Sequence, residues 1–447
     1  MPSLKEIIRQ LCCKDVAQTI RKKSRINLLA FGLVLLLPVG SYAQQGLSIG
    51  MAEQIALQYD PMIKSYDQRM ASFNEQAVSV NTWPDPKMRF GFLSLPTDTY
   101  DLDQEPMTQI IVGYQQMLPR GDSLDYMVRK MHAKADQSQA DMLLRKRQVM
   151  LNTRKAWLEV YLQEQMEKIV LENRHLFKQQ VEVSQSLYGA GKSNQQDVLQ
   201  AELELSLLDD QLQKIIATKK ESRSALAQWV GDEAAGFALE DGSGLFRDMD
   251  VNNIVYRNRL QQHPMFIKQA ASVIDKVQDV SLAKQRYKPQ WGFDVSYGKR
   301  DGNNNDGSER ADFFSALVTL DMPVFNEDRQ DRELSASKKE LMSESYKKQD
   351  LHLQLLVQLE QSQARWQQLT ERLELYDQRV LKQARENARA ALNGYQSGVV
   401  PFLTLTRARS AELKARLQRL QLYVEKAQVY AQLRYLIGDD VQQEISQ

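Results

Sequence analysis

Residues 187–200 read Leu-Tyr-Gly-Ala-Gly-Lys-Ser-Asn-Gln-Gln-Asp-Val-Leu-Gln, and residues 394–407 read Gly-Tyr-Gln-Ser-Gly-Val-Val-Pro-Phe-Leu-Thr-Leu-Thr-Arg. Tyr188 matches Tyr395, Gly191 matches Gly398 and Ala201 matches Ala408, each pair 207 positions apart. Both stretches interrupt long mixed polar and apolar runs that contain no Gly or Pro. A Gly just past a helical run supplies a left-handed C-cap. Ser193 or Asn194 can then cap the next helix in the first copy, and Pro401 can occupy the first turn in the second. Each copy reads as the tight turn of a helical hairpin. A hairpin turn that recurs at this distance makes the chain a duplicated unit.

Outward from the first turn, residues 122–188 hold neither Pro nor Gly. A helix of that extent is about 100 Å long at roughly 1.5 Å per residue. Met142, Val149, Ala156, Val160, Met166, Val170, Phe177 and Val181 fall mostly three, four or seven apart, a seam for packing on other helices. Residues 329–392 form the matching run of the second unit, read as uninterrupted. Residues 198–229 and 402–437 are the two return helices.

Ahead of each long helix the apolar period changes to two. Met88, Phe90 and Phe92 alternate with Arg89 and Gly91, and Ile110, Val112 and Tyr114 with Ile111, Gly113 and Gln115. This reads as a β-hairpin within 87–119, with strands about ten residues long. In the second unit Trp291, Phe293, Val295 and Tyr297 alternate with Gly292, Asp294, Ser296 and Gly298, and Phe314, Ala316, Val318 and Leu320 follow, a hairpin within 290–323. Each hairpin comes after a helix, punctuated by Tyr59-Asp60-Pro61-Met62 in one unit and Gln262-His263-Pro264-Met265 in the other. The chain divides into a first repeat over 44–238 with its tip near 188–197, a Gly-containing acidic linker over 239–250, and a second repeat over 251–447 with its tip near 395–404.

The 447 residues carry 58 Lys and Arg against 57 Asp and Glu, a net charge of +1. Residues 1–43 alone hold seven Lys or Arg and two Asp or Glu. The rest is weakly acidic and has no basic stripe, which argues against nucleic-acid binding. The basic start, the apolar run over 26–39 and Ser41-Tyr42-Ala43 make 1–43 a secretory signal peptide, expected to be cut after Ala43. The apolar run falls short of the roughly 20 residues a spanning helix needs. Cys12 and Cys13 leave with it, so the remainder has no thiol. His132, His175, His263 and His352 show no metal-ligand spacing. No phosphate loop and no nucleophile elbow occurs. No catalytic residue, metal site or cofactor is expected, and any energy must come from a partner.

Amphipathic strands facing lipid need a closed barrel, because an open edge in hydrocarbon leaves backbone groups unpaired. Four strands cannot close, since transmembrane barrels start at about eight. Three copies would supply twelve. Trp291, Phe293, Val295, Tyr297 and Phe314 are the expected lipid-facing side chains. The long helices carry charges throughout and cannot sit in lipid.

The ordered strand-pair and long-helix repeat resembles the TolC family of outer-membrane efflux proteins. The two tips carry the resemblance, Tyr188-x-x-Gly191 through Asp197-Val198-x-x-Ala201 and Tyr395-x-x-Gly398 through Leu405-x-x-Ala408. It covers residues 47–438. Asp85-Pro86 and residues 114–119, Tyr-Gln-Gln-Met-Leu-Pro, resemble the branch that serves heavy-metal exporters. The resemblance implies an α+β membrane protein: a homotrimeric, twelve-stranded outer-membrane β-barrel continuous with a long periplasmic α-helical coiled-coil tunnel. It implies a passive exit duct for small molecules or metal ions, served by a periplasmic adaptor protein and an inner-membrane transporter. Tip docking and gating would then fall to Tyr188, Gly191, Asp197, Tyr395, Gly398, Thr404 and Arg407. Family members often place acidic residues at the positions of Thr404 and Arg407, so this entrance departs from a cation-attracting ring. A type I protein-secretion duct and a trimeric coiled-coil structural protein are the competing readings.

Overall fold

A computed structural model describes residues 46–240, 242, 245–246 and 255–438. The signal peptide and most of the 239–250 linker lie outside the described residues. The first repeat opens with helices α1 (Ile49–Tyr59) and α2 (Pro61–Val80), then strands β1 (Lys87–Leu93) and β2 (Gln109–Met117). Helix α3 (Ser123–Gly189) and helix α4 (Gln195–Val230) form the first long hairpin, followed by the short α5 (Asp232–Ala235). The second repeat runs through α6 (Val255–Arg259), α7 (Pro264–Gln285), β3 (Gln290–Lys299) and β4 (Phe313–Asp321). Its long hairpin is α8 (Gln330–Leu375), a π-helical turn (Tyr376–Val380), α9 (Leu381–Gln396) and α10 (Phe402–Ile437).

The two repeats use the same punctuation. Asp60 caps α2 by accepting from the Ile63 N–H at 3.0 Å. His263 caps α7 by accepting from the Met265 N–H at 3.2 Å, and a Pro follows each cap as the first helical residue. Gly231 and Gly438 close the return helices at φ 83° and 90°.

The four strands form one antiparallel sheet in the order β1-β2-β3-β4. Register places Phe90 opposite Val112, Val112 opposite Tyr297, and Tyr297 opposite Phe314. Met88, Phe90, Phe92, Val112, Tyr114, Trp291, Phe293, Val295, Tyr297, Phe314, Val318 and Leu320 therefore share one face, and all are exposed. The opposite face holds Arg89, Gly113, Gly292, Asp294, Ser296 and Gly298, with Arg89 paired to the buried Asp294. Among the described residues neither edge strand, β1 or β4, has a partner on its outer side.

Helix α3 spans 67 residues, about 100 Å. Val149, Val160, Met166, Val170, Phe177 and Val181 of the expected seam are buried, joined by Thr153, Trp157 and Ser184, while Met142 and Ala156 are only half-buried; the helix packs on α1, α4 and α10. Two polar members of the seam bond to their own helix, Asn173 donating to the Ile169 carbonyl at 2.8 Å and Ser184 to that of Val181 at 2.9 Å, whereas the buried Thr153 hydroxyl has no partner. Trp157 is fully buried, stacks on Tyr161 at 5.5 Å and donates to the Leu47 carbonyl at 2.8 Å. A second core joins α8 and α10 through Leu355, Leu359, Trp366, Leu369 and Leu433.

Three sequence expectations change in detail. β1 has seven residues rather than about ten, because Ser94 turns to φ 56° and Pro96 follows. The 329–392 run is not one α-helix, since the π-helical turn adds a residue to its ladder without any Pro or Gly to announce it. Pro401 is the N-cap of α10 rather than its first helical residue. The described part of the linker is packed: Phe246 lies against Trp366 and Tyr423, ring centroids 5.6 and 5.1 Å away.

Candidate functional site at the hairpin tips

Both turns close by the same hydrogen-bond pattern. In the first, the Lys192 N–H reaches the Leu187 carbonyl at 2.8 Å and the Gly191 N–H that of Tyr188 at 3.0 Å. In the second, the Val399 N–H reaches Gly394 at 2.8 Å and the Gly398 N–H reaches Tyr395 at 3.0 Å. This is the Schellman motif, and its left-handed residue is Gly191 at φ 70° and Gly398 at φ 73°. A side chain there would be strained by about 1 kcal/mol or more.

Beyond the turns the copies diverge. Asn194 accepts from the Asp197 N–H at 2.9 Å, and the Ser193 hydroxyl donates to the Asp197 carboxylate at 2.7 Å. The second turn has no side-chain cap. Tyr188 is 49% exposed while Tyr395 is 6% exposed. Phe402 packs edge-on against Tyr395 at 5.3 Å, where the first repeat has Gln195. Val181, Ala201, Ala388, Ala391, Leu405 and Ala408 complete the small core that joins the two tips.

Tyr395 thus reaches from the second turn to the first. Burial pushes its phenol above the ordinary tyrosine value. The Ser193 hydroxyl works against that, and the Asp197 carboxylate adds to it. The structure brings Tyr395 and Asp197 together with Ser193. It does not bring Tyr188, Thr404 or Arg407 into that cluster: all three are exposed, and Arg407 makes no ion pair among the described residues. Arg407 and Lys414 lie two helical turns apart on the exposed side of α10.

Two residues near the tip escaped sequence reasoning. Gln180 and Arg409 line a groove above Tyr395, and each buries a polar nitrogen that has no hydrogen-bond partner. Nothing in the local sequence separates them from the many other Gln and Arg residues of these helices.

No helix among the described residues is long and apolar enough to cross a membrane, and no group of three or more His, Cys, Asp or Glu among them could hold a metal ion. What the chain offers a membrane is its four-stranded sheet.

A short amphipathic sheet carried on duplicated helical hairpins of this length is the fold of an outer-membrane channel. Residues 255–439 match the sequence profile of the outer membrane efflux protein family, a stretch that includes the second tip and not the first. By sequence, this second-repeat match likens the chain to outer-membrane efflux proteins. Solved structures agree in fold over most of the chain. The outer-membrane channel OprN superposes with a TM-score of 0.73 at 18% identity, covering 87% of this chain and 89% of that one. CusC gives 0.75 at 13% identity over 87% and 92%. The outer membrane protein VceC of Vibrio cholerae gives 0.72 at 16% over 87% and 96%. No curated protein sequence gives a significant match.

Proposed function

We propose that three copies of this chain form a passive exit duct, and that it carries small molecules or metal ions out through the outer membrane as the last component of a tripartite efflux system. The observation that carries this reading is the sheet. It has four strands, one continuous apolar face and two unpartnered edges. Unpaired edges in hydrocarbon cost several kcal/mol per backbone group, and barrels close at about eight strands or more. Pairing β4 of one copy with β1 of the next satisfies both limits, and three copies give a twelve-stranded wall. Trp291, Phe293, Val295, Tyr297 and Phe314 then face lipid, and the Arg89–Asp294 pair lines the lumen.

β2, β3 and β4 have nine or ten residues, within the roughly 9–11 that a tilted membrane-spanning strand needs, and β1 with seven is shorter. The helices extend the wall into the periplasm as a tunnel whose lower end is the six tips. Tyr188, exposed in one copy, suits burial against the second-repeat tip of its neighbour. The tips dock a periplasmic adaptor protein, which links the duct to an inner-membrane transporter.

Native mass measurement in detergent and single-channel recording in planar bilayers test this together. A trimer that conducts is expected. A stable monomer would overturn the duct, and a trimer extracted without detergent that passes no current would instead identify a structural coiled coil.

A further inference from the structure

Just above the tips a groove of about 350 Å³ separates α3 from α9 and α10. Its walls include Leu176, Val183, Leu392 and Leu405, with Gln180, Tyr395 and Arg409 between them. Gln180 and Tyr395 are each only 6% exposed. The Gln180 Nε2, the Tyr395 hydroxyl and the Arg409 Nε are all buried, and none has a hydrogen-bond partner. Buried polar groups are nearly always paired, and leaving one unpaired is costly. Three such atoms around one groove point to a missing ligand.

The chemistry of that ligand follows from what the atoms need. Two of the three are N–H donors and the third can donate, so the ligand must supply acceptor oxygen. It need not be charged. The Arg409 guanidinium already donates to the Glu412 carboxylate at 3.1 Å, and Glu182 adds another acid at the rim. The site is rich in donors without excess positive charge, which favours an amide over a carboxylate. Its shape narrows the choice further. On α3 the lining runs from Leu176 to Ser186, about 15 Å along the helix. An elongated slot between parallel helices fits one face of a third helix.

We propose that this groove receives the amide side chain, Gln or Asn, of a partner helix lying along it. This rests on the reading of the tips as the docking end of the duct. Because Tyr395 both lines the groove and packs against the first turn beside Asp197, docking there also reaches the tip contact.

The test uses the full-length protein in detergent and a small amide probe, 4,4,4-trifluorobutyramide, followed by fluorine NMR line broadening. Saturable broadening is expected, with the matching carboxylate, 4,4,4-trifluorobutyrate, binding less well. Gln180→Leu keeps the side chain's bulk and removes the donor. It should melt no lower than wild type and bind the amide about fivefold more weakly, the worth of one hydrogen bond. Gln180→Glu, which puts an acceptor where a donor stood, should also lose binding. An Ala-rich helical peptide with one central Gln should displace the probe, and the same peptide with Leu should not. Equal broadening in wild type and both variants would mean uptake by the micelle and overturn the proposal. Displacement by neither peptide would leave a small-molecule site and overturn the helix as occupant. A protein that conducts as a trimer but ignores the amide refutes this inference while sparing the duct. One that binds the amide but never conducts refutes the duct.

Discussion

Tyr395 of the second tip is buried over the first tip, where Asp197 and Ser193 face it, although its repeat counterpart Tyr188 is exposed. The contact ties one hairpin to the other at the narrow end of the proposed tunnel. Tyr395→Phe keeps the packing on Phe402 and deletes only the hydroxyl. The hydroxyl makes no hydrogen bond across the contact, and its polar interaction with the nearby Asp197 carboxylate is worth at most about 1 kcal/mol. If the tip rests closed, the variant should raise the open population by up to about fivefold, and Asp197→Asn should act in the same direction. Single-channel open probability checks both. A conductance record indistinguishable from wild type would remove the pair from any gating role.

Arg407 should set ion preference at the entrance. It is exposed on α10 with Lys414 two turns further along, and no acidic side chain pairs with it among the described residues. Six positive charges, two from each copy of a trimer, would repel cations from a narrow mouth. Arg407→Ala should shift reversal potential toward cation selectivity, and Arg407→Glu should shift it further. The effect should shrink as salt rises, because the Debye length falls from about 10 Å at 0.1 M to about 3 Å at 1 M. Unchanged reversal potentials in all three proteins would place Arg407 away from the conducting path.

Much of this architecture is readable from residue order because its signals are local. Gly191 and Gly398 mark turns because a left-handed residue is needed there. The long helices show as runs without Gly or Pro. The face of β3 shows because Trp291, Phe293, Val295 and Tyr297 recur every second residue. What stays hidden depends on distant partners. The β2–β3 pairing of Val112 with Tyr297 crosses 185 positions, and nothing local announces it. The different fates of Tyr188 and Tyr395 go with Phe402 against Gln195, a contrast without meaning until the turn is folded. The π-helical turn at Tyr376–Val380 has no breaker residue at all. The orphaned donors of Gln180 and Arg409 look like ordinary helix surface until α3 and α10 are side by side.

Asp60 should be the most sensitive position of the first repeat's upper helices. It caps α2 and also holds Arg145, with the Arg145 Nη2 at 2.7 Å and Nε at 3.1 Å. Burial pulls its carboxyl upward. The Arg145 hydrogen bond, the Ile63 N–H and the Arg145 charge outweigh that and hold it below the ordinary aspartate range. Asp60→Ala loses a cap worth about 1 kcal/mol and charge-assisted hydrogen bonds worth about 1.5–3. Asp60→Asn keeps the cap and loses only the charge, so it should melt between Ala and wild type. With a lowered folded value, the Asp60 contribution is complete above about pH 4 and is lost as pH falls through that lower value. Melting temperatures of the three proteins across acid pH check the order. Equal melting of the Asn and Ala variants would show that the cap contributes nothing.

His263 should make stability fall in a different window. It takes the same capping position in the second repeat, but it is fully buried beside Tyr435, ring centroids 5.2 Å apart. Burial and the nearby Arg147 charge depress its pKa to about 4, with the Tyr435 backbone carbonyl opposing them. A depressed base is neutral when folded. Unfolded chains take up its proton near pH 6.5, folded ones only near 4, so the unfolded state binds more protons in between. Stability therefore declines as pH drops from about 6.5 to about 4, by on the order of 3 kcal/mol in all, and levels off below. His263→Asn supplies a capping oxygen without a titrating ring. Its melting temperature should lose the slope between pH 6.5 and 4 while staying close to wild type near neutrality. A wild-type melting curve flat over that interval would show that burial does not depress the His263 pKa in the folded chain.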